Sequence, residues 1–324
     1  MQRKHFGLAL VDLLAVAALG AVLLAIGVPT LSRARELSKR MTCSVNLAGI
    51  GASGSIYAAA NKGSWMIPAF QRAKIDHEGI DYLAGSQVSP IGSEQPGEVG
   101  FVRWRESRSE TATSPAGGST AVSVTRAYWM LVRSGDVTVK QFICPSSGDN
   151  EDPTENLDLY YDFTQYTNIS YGYLVPFGPR DTQPREGMDN RQILGADKGP
   201  FYTTRYTPSW LIWNGTEITP ITLNNSPRDW QPYNSPNHGG SWIGEGQNAL
   251  YADGRVEFLR RPTGGVDDDN IYTLMRKEWG PLPDNRIHGD TPHCCSYYLN
   301  PYPGQGAFGS GPGRYSSTDS LIYP

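Results

Sequence analysis

The chain has 324 residues, with 36 Gly and 24 Pro, a formal net charge of −4 and a mean hydropathy of −0.42. Gly and Pro make up nearly one residue in five, too much for a helical bundle or coiled coil, and 11% aromatic residues are too many for a disordered or collagen-like chain. The charge leaves no footprint for nucleic acid, and the polar average excludes a protein with several membrane spans.

The concentrated hydrophobicity lies before residue 30. From Leu8 to Val28 the chain carries 21 residues with one charge, Asp12. As a helix with a rise of about 1.5 Å per residue, this stretch matches the apolar thickness of a bilayer. A short basic leader, residues 1–7, precedes it, and Pro29, Arg33, Arg35, Lys39 and Arg40 follow. A secretory signal and a plain signal anchor both fit this outline. Neither accounts for a carboxylate inside a membrane helix, which costs about 2.5–3.5 kcal/mol on insertion scales and calls for a partner.

The order Gly7-Leu8-Ala9-Leu10-Val11-Asp12-Leu13-Leu14 resembles the N-terminus of type IV prepilins and type II secretion pseudopilins, whose text reads G-F-T-L-I-E-L-L. The resemblance implies cleavage after Gly7 by a prepilin peptidase and N-methylation of Leu8. It also implies pairing of the new Leu8 ammonium with Asp12 of a sister subunit, and puts the family's helix-loosening proline at Pro29. Two positions depart from the family: Leu8 stands for Phe, and Asp12 for Glu. Basic residues flank both sides of the apolar stretch, so the N-in orientation follows from the resemblance. It places residues 61–324 outside the cytoplasm, in the periplasm or beyond, as the head of a single-pass inner-membrane protein.

After the membrane segment, Leu31, Ala34, Ser38, Met41, Val45, Ala48, Ala52 and Ile56 recur at spacings of three and four. This is one stripe of an amphipathic helix over residues 30–60, rich in small residues. It suits packing on a sheet of its own domain, and also packing against sister helices. Gly49, Gly51 and Gly54 weaken the helix by about 1 kcal/mol each relative to Ala, so tertiary contacts must support it. Asn61-Lys62-Gly63 ends it. The expected fold is α+β: a helix over residues 8–60 packed on an antiparallel, β-rich and loop-rich head.

Within the head, Ala121–Thr125, Val137–Ile143 and Thr216–Leu223 are strand candidates, and Tyr128–Arg133 is a short helix. Residues 85–120 and the Gly/Pro-rich tail from Pro301 read as irregular. The strongest local signal is Asp253-Gly254 between β-prone runs, which reads as a type I′ hairpin with Tyr251 facing Val256 and Ala249 facing Phe258. With His238 upstream, residues 237–259 resemble the H-x9-DG segment of prepilin-processed proteins of planctomycete-type bacteria, although 14 residues here separate His238 from Asp253. Leu31–Glu36, Cys43–Leu47, Tyr57, Phe142–Ser147, Asn168–Tyr173 and Gly195–Phe201 resemble the same proteins.

Chemistry-bearing residues are few. The five His are His5, His77, His238, His288 and His293, and no G-x-S-x-G elbow is present. No cofactor is implied outright, and the chain reads as a non-enzyme. Asp267, Asp268 and Asp269 are calcium candidates, against a plain loop or a cap by Asp269 or Asn270 on a helix Ile271–Lys277. His288, His293, Cys294 and Cys295 carry zinc-type donors at poor spacing. Disulfides are favoured outside the cytoplasm, and Cys43–Cys144 is the expected pair, with Cys294 and Cys295 vicinal or free. Eight Trp and 18 Tyr suit a core or carbohydrate-stacking platforms.

The function expected is that of a structural pilin-like or pseudopilin subunit. Its partners would be the prepilin peptidase, sister subunits and the inner-membrane assembly machinery of a type II secretion or type IV pilus-like system. The alternative is a tethered or filament-tip adhesion module using the same N-terminus. A hydrolase built on His238 or Asp253 is the third reading.

Overall fold

The computed structural model describes residues 10–68, 72–74, 81–83, 124–164, 166–176, 180–200, 223–224, 226–239, 244–272 and 317–323. The leader, Leu8, strand candidate 216–222, the His288–Cys295 group, and stretches 85–120 and 301–316 lie outside them.

Helix α1 runs unbroken from Leu10 to Ala60. It passes through Pro29 without a break. The proline lacks an N–H, and the Thr30 hydroxyl donates to the carbonyls of Ile26 and Gly27, at 2.9 Å each. Its end is the expected one: Gly63 N donates to Ala58 O at 2.8 Å, with Lys62 and Gly63 at positive φ. The chain then docks back, with Trp65 N donating to Pro184 O at 3.2 Å.

The head is built on a five-stranded sheet in the order β6-β5-β4-β3-β7, antiparallel at every pairing. Its strands are β3 (Tyr171–Leu174), β4 (Ile193–Asp197), β5 (Gln247–Tyr251), β6 (Val256–Leu259) and β7 (Ile322–Tyr323). A separate two-stranded ribbon pairs β1 (Arg72–Lys74) with β2 (Asp81–Leu83). Every residue of β3, β4 and β5 is buried. The lower half of α1 lies across β5 and β6, and α2 (Arg126–Ser134) packs on β3, where Tyr128 Oη donates to Gly172 O at 3.0 Å.

Aromatic side chains fill this core. Tyr128 packs on Phe142 and Tyr173 with ring centroids 5.1 and 5.0 Å apart, and Phe163 meets Trp129 and Phe142 edge-on. Core duty is the role of Trp129, Trp230, Tyr171 and Tyr272, all fully buried.

Three sequence expectations are corrected. Val137–Ile143 is no strand: residues Val139–Phe142 form a 3-10 turn that buries Phe142 and leads into Cys144. Of the candidate Ala121–Thr125, residues 121–123 lie outside the described residues, and Val124 and Thr125 lead into α2 instead of extending a strand. The stripe read on α1 faces outward: Leu31, Ala34, Ser38, Met41, Val45, Ala48, Ala52 and Ile56 are all exposed. The buried stripe is Cys43, Leu47, Ile50, Gly54 and Ala58, together with Gly51. It has the same spacing, displaced by two residues, or about 200° around the helix. The packed face carries glycine because the head comes close there. A Cβ on Gly51 would stand 2.7 Å from Leu250 Cδ1, and one on Gly54 2.5 Å from the Trp65 ring.

The hairpin forms at the expected place in another register. Leu250 faces Val256, Ala249 faces Glu257, and Asn248 faces Phe258. Gly254 has φ +87, whereas Asp253 is absent from the positive-φ residues, so a type I′ turn does not form. Instead the loop holds Ala252, Asp253 and Gly254, closed by Tyr251 N donating to Arg255 O at 2.9 Å. This is the three-residue connection with glycine in the left-handed position.

Candidate functional site: an exposed apolar helix and a buried stem-to-head joint

Two features stand out. The first is the upper half of α1. The span beginning at Asp12 is long and apolar enough to cross a membrane, and none of its apolar window is buried. Leu13, Leu14, Val16, Leu19, Val22, Leu23, Leu24, Ile26 and Val28 are each more than half exposed. Asp12 lies in the first described turn and Pro29 inside the helix.

The second feature is a joint between α1 and the head, centred on His238. The last residue of β4 supplies Asp197, and the turn after the 3-10 segment supplies Cys144. Two turns of α1 supply Glu36 and Cys43. Residues 234–239 carry His238 under the sheet edge, held by Asn237, whose Nδ2 donates to Ser170 O at 2.9 Å and to Asp197 Oδ1 at 3.2 Å. His238 has no exposed side-chain surface. Its Nδ1 lies 3.0 Å from Glu36 Oε1, and its Nε2 lies 3.3 Å from Asp197 Oδ2 and 3.8 Å from Cys144 Sγ.

The surroundings are committed. Asp197 Oδ2 accepts the Asn248 backbone N–H at 2.6 Å, and Asn248 Nδ2 lies 3.1 Å from His238 Nε2. Glu36 also accepts from Ser146 Oγ at 3.0 Å and from Gly239 N at 3.4 Å. Arg40, one turn below Glu36, stacks 4.4 Å over the Phe258 ring and pairs with Glu245. Phe258 in turn meets the His238 ring edge-on. Burial alone would depress the imidazole; the charge of Asp197 and its hydrogen bond more than reverse this and, with Cys144, push the pKa up to about 11. Burial likewise pushes the Cys144 thiol well above its ordinary value.

Cys43 and Cys144 are free thiols with their sulfurs 2.7 Å apart. Thus the pair anticipated as a disulfide is brought together, and His238 is brought to it. Asp253 is not: it sits at the hairpin tip, exposed, with Oδ1 accepting Arg255 N at 3.1 Å. The acid of the H-x-DG-like segment therefore belongs to the turn, and the carboxylates that meet His238 are Asp197 and Glu36.

Among the described residues, Cys43, Cys144, Asp197 and His238 are the set of metal-type donors that converges, their donor atoms lying within 4.8 Å of one another. The Glu36–His238 contact has the form of a carboxylate orienting a ligand imidazole. The sulfurs fit a metal poorly, because two thiolates at about 2.3 Å from one zinc stand about 3.8 Å apart. The aspartate run does not converge. Asp267 reaches Arg191 at 3.2 Å, while Asp269 turns inward to accept Ser320 N at 2.8 Å. Asp267 and Asp268 take positive φ. Asn270 Oδ1 accepts Tyr272 N at 3.1 Å, the bond a cap residue makes, and residues 273–277 of the expected helix lie outside the described residues.

Glu36, Asp197 and Asn248 had no role assigned from sequence. For Glu36 and Asp197 the signal was present, since both lie in stretches that carry the family resemblance. Leu31–Glu36, Cys43–Leu47, Phe142–Ser147, Asn168–Tyr173, Gly195–Phe201 and the His238 turn each send a residue into this joint or against it. Comparison with family models, with curated proteins and with solved structures finds no match to this chain.

Proposed function

We propose that the chain is a structural subunit of the prepilin type. It would be cut after Gly7, methylated on Leu8, anchored by residues 8–29 and assembled through α1 into a pseudopilus-like or pilus-like filament. The observation that carries this reading is the continuity of an apolar outer face along one helix. None of the membrane-length window is buried, and Met41, Val45 and Ile56, each more than half exposed, continue the apolar surface alongside the head. A lone anchor needs only the first half. A helix that packs on sister helices needs both.

The joint around His238 supports a structural role. Cys144, His238 and Glu36 line up as nucleophile, imidazole and carboxylate. Yet the Cys43 sulfur sits against Cys144, and both thiols are buried, Cys43 at 0% and Cys144 at 1% exposed. That arrangement joins elements and offers no face to a substrate. Mass spectrometry of the mature N-terminus tests the proposal. A chain that starts at methylated Leu8 is the expected result; a start at Met1, or after Gly27, overturns it.

A further inference from the structure

We infer that Cys43, Cys144 and His238 form one lock between the stem helix and the head, its covalent half a Cys43–Cys144 disulfide and its ionic half the His238 imidazolium held between Glu36 and Asp197. The inference rests on the extracytoplasmic placement of the head proposed above.

Three observations point to it. First, the lock residues divide by element: Glu36 and Cys43 belong to the stem, whereas Cys144, Asp197 and His238 belong to the head. Each half therefore spans the same boundary. Second, the sulfurs are closer than two thiolates on one metal ion would stand, and Asp197 already spends its oxygens on Asn248, Asn237 and His238. Third, the charges close on themselves. An imidazolium between two carboxylates, with Arg40 beside Glu36 at 3.8 Å, leaves no uncompensated buried charge once the thiols are joined.

The covalent step is a thiol–disulfide exchange with a disulfide-bearing oxidant, of protein or small-molecule class, in the oxidising compartment. The Cys144 thiolate attacks a sulfur of the oxidant, whose S–S bond breaks and releases one thiolate. Cys43, as thiolate, then attacks the Cys144 sulfur and releases the other. Two protons leave the chain and the oxidant ends as two thiols. The His238 imidazolium, its Nε2 3.8 Å from Cys144 Sγ, favours the Cys144 thiolate by its charge, and the thiol protons pass to solvent. Both sulfurs are buried in the docked state, so exchange precedes the closing of the stem onto the head.

The full-length chain, extracted in detergent with iodoacetamide present and digested with trypsin, reads the covalent half. Peptides 41–62 and 141–180 should run as one species that reduction splits. Recovery of both in alkylated form overturns the lock, as does one equivalent of a zinc-class metal on a chain whose two thiols are reduced. Amide exchange along α1 reads the ionic half. In the reduced His238→Gln chain, residues 43–58 should exchange at least about tenfold faster than in the oxidised wild type, and faster than in the reduced wild type. The oxidised His238→Gln chain should keep its protection, which also verifies that the variant folds. Glu36→Gln, which alters only the stem side, should repeat the pattern. Equal protection in the reduced variants and the reduced wild type overturns the ionic half. A chain that begins at methylated Leu8 but has free Cys43 and Cys144 overturns the lock and leaves the anchor reading standing. A cross-linked chain that begins at Met1 does the reverse.

Discussion

Lys198 keeps 2% of its side chain exposed and holds Asp149, itself 7% exposed, at 2.9 Å. Ser170 Oγ adds a donor to the same carboxylate at 2.7 Å. Breaking such a pair strands a buried charge, so Asp149→Asn should lower stability by about 3–5 kcal/mol, read as a shift of the urea midpoint. His238 makes a second prediction at this scale. Its folded pKa of about 11 lies above the ordinary value near 6.5. The groups facing it are Asp197 from β4, Glu36 and Arg40 from α1, Cys144, Asn248 and Phe258. A raised pKa on a cationic group gives stability that is full below pH ~6.5 and is lost as pH rises toward 11. Between about pH 6.5 and 9, below the ionisation of the tyrosines, unfolding free energy should fall with pH in the wild type and stay flatter in His238→Gln. A flat wild-type profile would contradict this. The sequence marks His238 through its motif, but 14 residues separate it from Asp253 and no acid is assigned to it. Local periodicity carries no information about which chain-distant carboxylate will meet an imidazole.

At the scale of the element, α1 shows why a correct period can be laid on the wrong face. Two stripes share the three-and-four spacing, and the outer one is the more apolar. The inner one is recognisable only through its glycines, whose low helix propensity reads as a weakness to be compensated. They are the contact itself. Gly51→Val should therefore cost about 1–3 kcal/mol through overpacking against Leu250, whereas Val45→Ser on the opposite face should stay within about 0.5 kcal/mol. Thermal melts of the two variants compare these directly. The hairpin was legible as a turn and misread by one residue, because Asp-Gly serves two loop lengths and the choice depends on whether both residues take positive φ. Only Gly254 does. Gly254→Ala should cost about 1–2 kcal/mol, while Asp253→Ala, which loses one bond to Arg255 N, should cost less.

At the scale of the whole molecule, the α+β plan of a long N-terminal helix on an antiparallel head was legible, because a membrane-length apolar run and the turn at Asn61–Gly63 bound the helix from both ends. The strand order was not, since β7 arrives from the far C-terminus to pair with β3 and no local pattern announces it. Asp12→Ala should leave membrane insertion intact and abolish co-assembly with pilin-type partners, measured by cross-linking in membranes; unimpaired assembly would remove Asp12 from the mechanism. The unbroken run of α1 from its apolar half into the joint at Glu36 has one more consequence. With no hinge between them, the stem acts as a shaft that sets the angular phase of the head relative to Asp12. One alanine inserted between residues 30 and 35 should turn the head by about 100° and lift it by about 1.5 Å. Seven inserted residues, close to two full turns, should nearly restore the original facing, so assembly across an insertion series should rise and fall with the helical period.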